Sequence, residues 1–418
     1  MNVAKVTGKL KEQIHFFSRR LSESSPKVMG RFLEEAIFGI CARQSLRLSE
    51  WGRCLNEKID LIKTIDRLSR QLDRRGLWDI VTSKILRLAR DKIDEKTLMV
   101  VDISDITKPY ARQMEYLSRI RDGSKGELAD GYWTMHVIGC ESGSSEIVPL
   151  YSRLYSADAP DFEGENAEII RAVRTVSIGV GNKGVWLIDR GGDRRQLYDY
   201  FLTQGCRFVI RLKGDRHLVY RGKKILAHEL SFNCSLPYRD VLIRESDHGE
   251  KRYDIAYGFC PVQLPDIPVP LYMVVIAGFG TDPMMLLTNI PMRKNRSVLS
   301  WVVESYHTRW RVEETIRFVK QSYQLEDVRV LTYRRLQNMM ALVLAVSYFT
   351  MAYLGRRIKL KAISGLLLKV SKRIFGVPDF RYYALSDGIR ELLRRNDKGP
   401  LRNLHKQSPK YQLSLFNP

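Results

Sequence analysis

Cysteine is sparse and scattered. The six thiols (Cys41, Cys54, Cys140, Cys206, Cys234 and Cys260) form no C-x-x-C pair, which argues against a zinc ribbon or a dithiol redox centre. In a chain of 418 residues they read as reduced, mostly buried thiols of a cytosolic protein. The N-terminus, MNVAKVTGKLKEQIHFF, lacks the apolar core of a signal peptide. The most membrane-like stretch, Met339 to Leu354, is about 16 residues against the ~20 needed to span a bilayer, and Ser, Thr and Tyr interrupt it. A buried helix is expected there. Acidic residues are also short: 47 Asp and Glu stand against 69 Lys and Arg, for a net charge of +22 and a pI near 9.7. Such a balance implies a polyanionic partner, nucleic acid before a membrane surface. No basic amphipathic anchor supports the membrane alternative. Internal repeats and low-complexity tracts are absent.

What is present is enough apolar sequence, 44%, for a sizeable core, and length enough for two or three domains. Residues 1–95 show apolar positions at i, i+3, i+4 and i+7 with basic residues on the other faces, and are expected to form a helical domain. From Thr97 the pattern changes. TLMVV reads as a buried strand, YWTMHVIGCESGSSEIVPLYSRLYS as two strands joined by a Gly/Ser turn, and ENAEIIRAVRTV as a helix. GVWLID, RRQLYDYFLTQG and CRFVIRLKG come next as strand, helix and strand. Residues 96–214 are therefore expected to form the first part of a mixed α/β sheet with helices packed on it. Short alternating runs predict a β-rich insertion over residues 215–292. Residues 293–355 return to helix and would complete the interrupted domain. Residues 356–418, with about 15 basic and 4 acidic residues, read as a basic helical region ending in a mobile tail.

The stretch YHTRWRVEETIRFVK reads as helical. Within it Tyr306, Arg309, Glu313 and Lys320 recur at steps of three, four and seven, and fall within about 60° of one another around a helix axis. Arg317 and Trp310 belong to the same stripe, whereas Glu314 and Arg311 point away. One face thus sets a carboxylate among cations and an aromatic, which a solvated helix has no need to do.

Two aspartates stand out by position. Asp102 comes directly after the apolar run of VVDISDITK, and Asp189 after that of WLIDRGGD. Carboxylates are poor strand residues and costly if buried unpaired, but at the C-terminal ends of strands they face the crevice where ligands bind. With Glu313 they make three hard-oxygen donors suited to a pair of divalent cations about 3.5–4 Å apart. Asp105 competes with Asp102 for the first position, and Asp193 with Asp189 for the second. Arg211 and Lys213 end a strand near the same edge, where DNA contact and plain solvation are equally open.

The stripe matches, at every spacing, the pattern Tyr, two residues, Arg, three residues, Glu, six residues, Lys of the DDE transposases of the insertion-sequence-4 family. DIS resembles that family's first aspartate motif and LIDRGGD its second, and the resemblance covers about residues 95–350. It implies a ribonuclease H-like catalytic fold and a cut-and-paste DNA transposase of bacterial cytoplasm, associated with the nucleoid. It further implies Asp102, Asp189 and Glu313 as ligands of two Mg²⁺ or Mn²⁺ ions, and Tyr306, Arg309 and Lys320 as the grip on DNA phosphates, with Arg317 and Arg190 assisting. Its partners would be the double-stranded DNA of the terminal inverted repeats and of the target, bound by a homodimer. Two rival readings remain: a domesticated nuclease of the same fold that cuts without joining, and a non-catalytic repressor derived from a transposase.

Overall fold

The computed structural model describes residues 3–123, 125–144, 146–246, 249–292, 296–354, 382–395 and 399–401. Five helices come first: α1 (Val3–Leu21), α2 (Lys27–Arg43), α3 (Leu48–Leu55), α4 (Leu61–Leu72) and α5 (Leu77–Ala89). Their apolar stripes meet in one core through Phe17, Phe32, Phe38 and Trp51, all 1% exposed or less. A charged knot lies among them. Glu35, buried, accepts from Arg31 Nε at 2.8 Å and from Arg67 at 2.6 Å, and Glu57 accepts from the same two arginines.

The sheet begins with β1 (Leu98–Thr107), β2 (Ser118–Arg121), β3 (Leu128–Cys140) and β4 (Ile147–Tyr155). After α6 (Glu165–Val180) come β5 (Val185–Ile188), α7 (Arg195–Thr203) and β6 (Arg207–Arg211). β3 pairs antiparallel with both β1 and β4, while β5 runs parallel to β1 and β6 parallel to β5. The resulting order, β4-β3-β1-β5-β6 with three antiparallel strands and then two parallel ones, is a ribonuclease H-like arrangement. The short strand β2, which pairs with the start of β3, has no counterpart among the sequence expectations.

Residues 215–292 contain β7 (His217–Tyr220), β8 (Lys223–Leu226), α8 (Ala227–Phe232), β9 (Tyr238–Ser246), β10 (Gly249–Leu264), β11 (Ile267–Ala277) and β12 (Met284–Thr288). HLVYRGKKI, read as one run, is a two-strand hairpin turning at Arg221 and Gly222, both at positive φ. β12 pairs antiparallel with β6, so these strands extend the same sheet instead of forming a separate one.

Next come α9 (Arg296–Thr308), α10 (Trp310–Ser322) and α11 (Tyr333–Tyr348). α11 continues through Leu354 in a π-helical turn, and the 22 residues from Tyr333 are long and apolar enough to cross a membrane. The expected limit of about 16 residues is therefore too short. The helix begins earlier, because Tyr333–Asn338 is less apolar than the rest of the helix yet continues the same turns. Its apolar window is 94% buried inside the protein, packed on β4 and α5, so it serves as a core helix. α12 (Tyr382–Arg395) packs against α2 and α1. Most of residues 356–418, including the expected mobile tail, lies outside the described residues.

Candidate active site

Asp102 and Asp189 are brought together by strand register. Val100 of β1 pairs with Leu187 of β5 in parallel, and each aspartate follows two residues later in its own chain direction. Equal offsets beyond adjacent parallel strands bring both aspartates to the same end of the sheet. β5 ends at Ile188, so Asp189 opens the turn beyond it, where its Oδ1 accepts from the Gly191 N–H at 2.8 Å. β1 continues through Asp102, whose cross-strand partner on β3 is His136.

Glu313 approaches from the helical side. The expected single helix is broken at Arg309, between α9 and α10. Thr308 Oγ1 donates back to the Glu304 carbonyl at 3.0 Å, a bond that bends helices, and the Arg309 N–H bonds to Tyr306 O in a tighter turn. The bend carries Arg309 inward, leaving its side chain 10% exposed, and its Nη2 donates to Glu313 Oε1 at 2.7 Å.

Asp102 is near enough to feel the charges of both other acids. Burial pushes the Asp102 carboxyl up to about 7, and the charges of Asp189 and Glu313 push the same way against Arg309. Neither Asp102 nor Asp189 forms a direct ion pair among the described residues. As placed, no three His, Cys, Asp or Glu side chains among the described residues stand close enough to hold a metal ion, and Arg309 supplies the positive charge instead. The donor set nonetheless fits a hard divalent cation. It consists of carboxylate oxygens alone, one of them desolvated enough to resist carrying its charge uncompensated.

The other stripe residues depart from the expectation of a common DNA-facing surface. Tyr306 is 2% exposed, so no base can stack on it. It lies beneath the Arg309 guanidinium, 5.7 Å from ring centroid to Cζ, and burial raises its hydroxyl pKa while Arg309 and Arg211 oppose the rise. Lys320 turns to Asp105, with Nζ to Oδ2 at 3.3 Å. That pairing separates the two candidates for the first aspartate: Asp105 has its own cation, whereas Asp102 senses Asp189 and Glu313. Arg317, half-exposed, donates from Nη1 to Oε2 of Glu314, the neighbour of Glu313, at 2.8 Å. Arg190 is exposed in the turn after Asp189. The side chain of Trp310 lies outside the described residues.

Arg211 and Lys213 are the residues whose part was left open by the sequence. Arg211 ends β6 near enough to Tyr306 for its charge to oppose the rise of the hydroxyl pKa, and its only sequence signal is a cation at the end of a parallel strand. The Lys213 backbone N–H bonds to Asp193. Asp193 does not join the acids. Its carboxylate is turned inward and accepts from Arg216 Nε at 2.7 Å, the Lys213 N–H at 2.7 Å and Tyr198 Oη at 3.0 Å.

A ribonuclease H-like sheet with acidic residues gathered where β1 and β5 lie side by side defines a class of nucleic-acid-processing folds. Within that class, residues 94–349 match the transposase DDE domain family, and the chain belongs to it. A solved structure described as a piggyBac transposase synaptic complex with hairpin DNA is similar at a TM-score of 0.44 and 13% identity, covering 98% of this chain and 82% of that one. No curated protein matches the chain.

Proposed function

We propose that the chain is a cut-and-paste DNA transposase of the insertion-sequence-4 type, acting in bacterial cytoplasm at the nucleoid. The observation that carries this reading is the position of Asp102 and Asp189 at the same end of the neighbouring parallel strands β1 and β5, inside the segment matching the DDE domain. Asp102, Asp189 and Glu313 would hold two Mg²⁺ or Mn²⁺ ions. Bound there, the ions would supply Lewis-acid activation of an attacking oxygen and stabilisation of the leaving one.

The protein's own groups would do the rest. Arg309, held over the Tyr306 ring and bonded to Glu313, would neutralise a phosphate. Lys320, Arg190, Arg211 and Arg317 add positive charge around the site, in keeping with the net charge of +22. Hydrolysis at each element end would expose a 3′-hydroxyl, which would then attack target DNA; both steps are in-line displacements at phosphorus. Residues 1–95 and the basic C-terminal region would bind the terminal inverted repeats, with a homodimer joining the two ends.

The test uses a duplex carrying the inverted repeat that flanks the coding sequence. Glu313→Gln should abolish Mg²⁺-dependent cleavage of that duplex while leaving its gel shift in place, since the change removes a ligand and no cation. Cleavage at the parent rate would refute the assignment. Joining of pre-cleaved ends to a plasmid by the parent distinguishes a transposase from a nuclease that cuts without joining.

A further inference from the structure

The five residues Asp189 to Asp193 form a single tight turn. Residues Arg190–Gly192 are 3₁₀-helical, with Asp189 O accepting from Gly192 at 3.0 Å and Arg190 O accepting from Asp193 at 3.2 Å. Gly192 is pressed against the sheet: a Cβ there would meet Ile188 Cγ2 at 2.6 Å, so no larger residue fits without displacing the turn. Asp193 is 1% exposed, an unusual degree of burial for a charged residue at the end of a surface turn.

Its partners explain how the burial is sustained. Arg216 donates Nε to the Asp193 carboxylate and Nη2 to its backbone carbonyl, each at 2.7 Å, and its guanidinium lies 5.9 Å from the centroid of the Tyr198 ring. The Lys213 N–H and the Tyr198 hydroxyl occupy further acceptor sites. With three donors on its two oxygens, this carboxylate has little capacity left for an ion. A solvated turn needs no such anchor. The anchor pins the far end of the turn to the β6–β7 connection, and the turn is too short to flex between its ends.

We propose that Asp193 is a positioning residue for Asp189, with Arg216 as its counter-ion. The pair fixes where the second acidic side chain stands and ties it to the start of the β-rich segment. This rests on the reading of Asp189 as a metal ligand. Groups that orient metal ligands typically change affinity 10–100-fold when removed.

The charge signs of the two partners separate positioning from simple electrostatics. Removing Arg216 takes away a positive charge, which by field alone would strengthen cation binding. If its role is to hold the turn, binding weakens instead. The experiment titrates the full-length protein with Mn²⁺, following free Mn²⁺ by its paramagnetic resonance signal, for the parent, Asp189→Asn, Asp193→Asn, Arg216→Met and the double variant. Melting followed by circular dichroism establishes which variants are folded at the titration temperature.

Asp193→Asn and Arg216→Met are each expected to weaken Mn²⁺ binding about 10-fold, and the double variant no more than the worse single one. Folded Arg216→Met binding Mn²⁺ as tightly as the parent, or tighter, overturns the proposal while leaving Asp189 as a ligand. Parent-like binding by Asp189→Asn overturns the reading on which the proposal rests. If Asp193→Asn fails to fold, Arg216→Met decides, since it leaves the carboxylate its other two donors.

Discussion

Replacing Asn338 by leucine should loosen the attachment of the N-terminal helices to the sheet. Asn338 is 3% exposed on α11, yet it bonds entirely to the junction of α4 and α5. Its Oδ1 accepts from the Trp78 N–H at 3.1 Å, and its Nδ2 donates to Leu72 O at 2.7 Å and Arg74 O at 2.9 Å. Leucine has similar bulk and can make none of these bonds. Arg74 O would keep a second donor, Leu77 N–H at 3.4 Å, so two backbone groups are left buried without these partners. At about 1–3 kcal/mol for each orphan, the expected loss is roughly 2–6 kcal/mol, part of it offset by the added apolar contact. That is a large share of a typical net stability of about 5–15 kcal/mol. Urea unfolding would report the loss as a lower midpoint, and amide exchange would locate it as reduced protection over residues 61–95. Asn338→Asp should be worse at neutral pH, because a carboxylate cannot donate to the two carbonyls. An Asn338→Leu stability within about 0.5 kcal/mol of the parent, taken from the midpoint and the usual urea slope, with exchange unchanged, would show that the three bonds do not hold the helices in place.

His136 and Glu35 yield two further tests. His136 is buried between Thr134 and Ser152, and burial, helped by Lys320, pushes its pKa down to about 4. The unfolded chain, with a histidine pKa near 6.5, therefore binds more protons between about pH 4 and 6.5, so this contribution is intact above about pH 6.5 and lost as pH falls to about 4, amounting to ~3 kcal/mol. The stability advantage of the parent over His136→Gln, measured by urea unfolding, should shrink by about that amount across the window, and a pH-independent difference would contradict the assignment. Glu35→Leu should cost about 2–4 kcal/mol, below the range for a fully buried network because Arg31 and Arg67 keep Glu57 and are partly solvated; an unchanged thermal midpoint would count against the charged knot as a stabilising feature.

The elements that sequence patterning locates best are those with strong apolar signals. TLMVV and GVWLI have no reading other than buried strand, and the acids come directly after them, so Asp102 and Asp189 were identifiable before their register was known. β2 was not, because SRIR is short, half charged and stable only against β3. The helical stripe was legible as a spacing but not as a surface. Periodicity says which residues share a face and nothing about what covers it, so burial of Tyr306 and the turn of Lys320 toward Asp105 lay beyond reach. The break at Arg309 depends on one hydroxyl of Thr308 choosing a backbone carbonyl, a choice that no pattern of apolar positions records. Asp193 was legible only as a second acid in the same glycine turn, and its inward partners, which no sequence pattern records, set it apart from Asp189.

The bonds from Asn338 also set an order of events during synthesis. Trp78 and Asn338 are 260 residues apart in the chain. At about 5–20 residues per second, the helices up to Ala89 wait roughly 13–50 s for α11 to be made. Throughout that interval their side chains meant for α11 have nothing to cover them. Nascent chains of this protein are therefore expected to depend on holding chaperones, and a message cut short before the α11 codons should yield a product cleared by proteases.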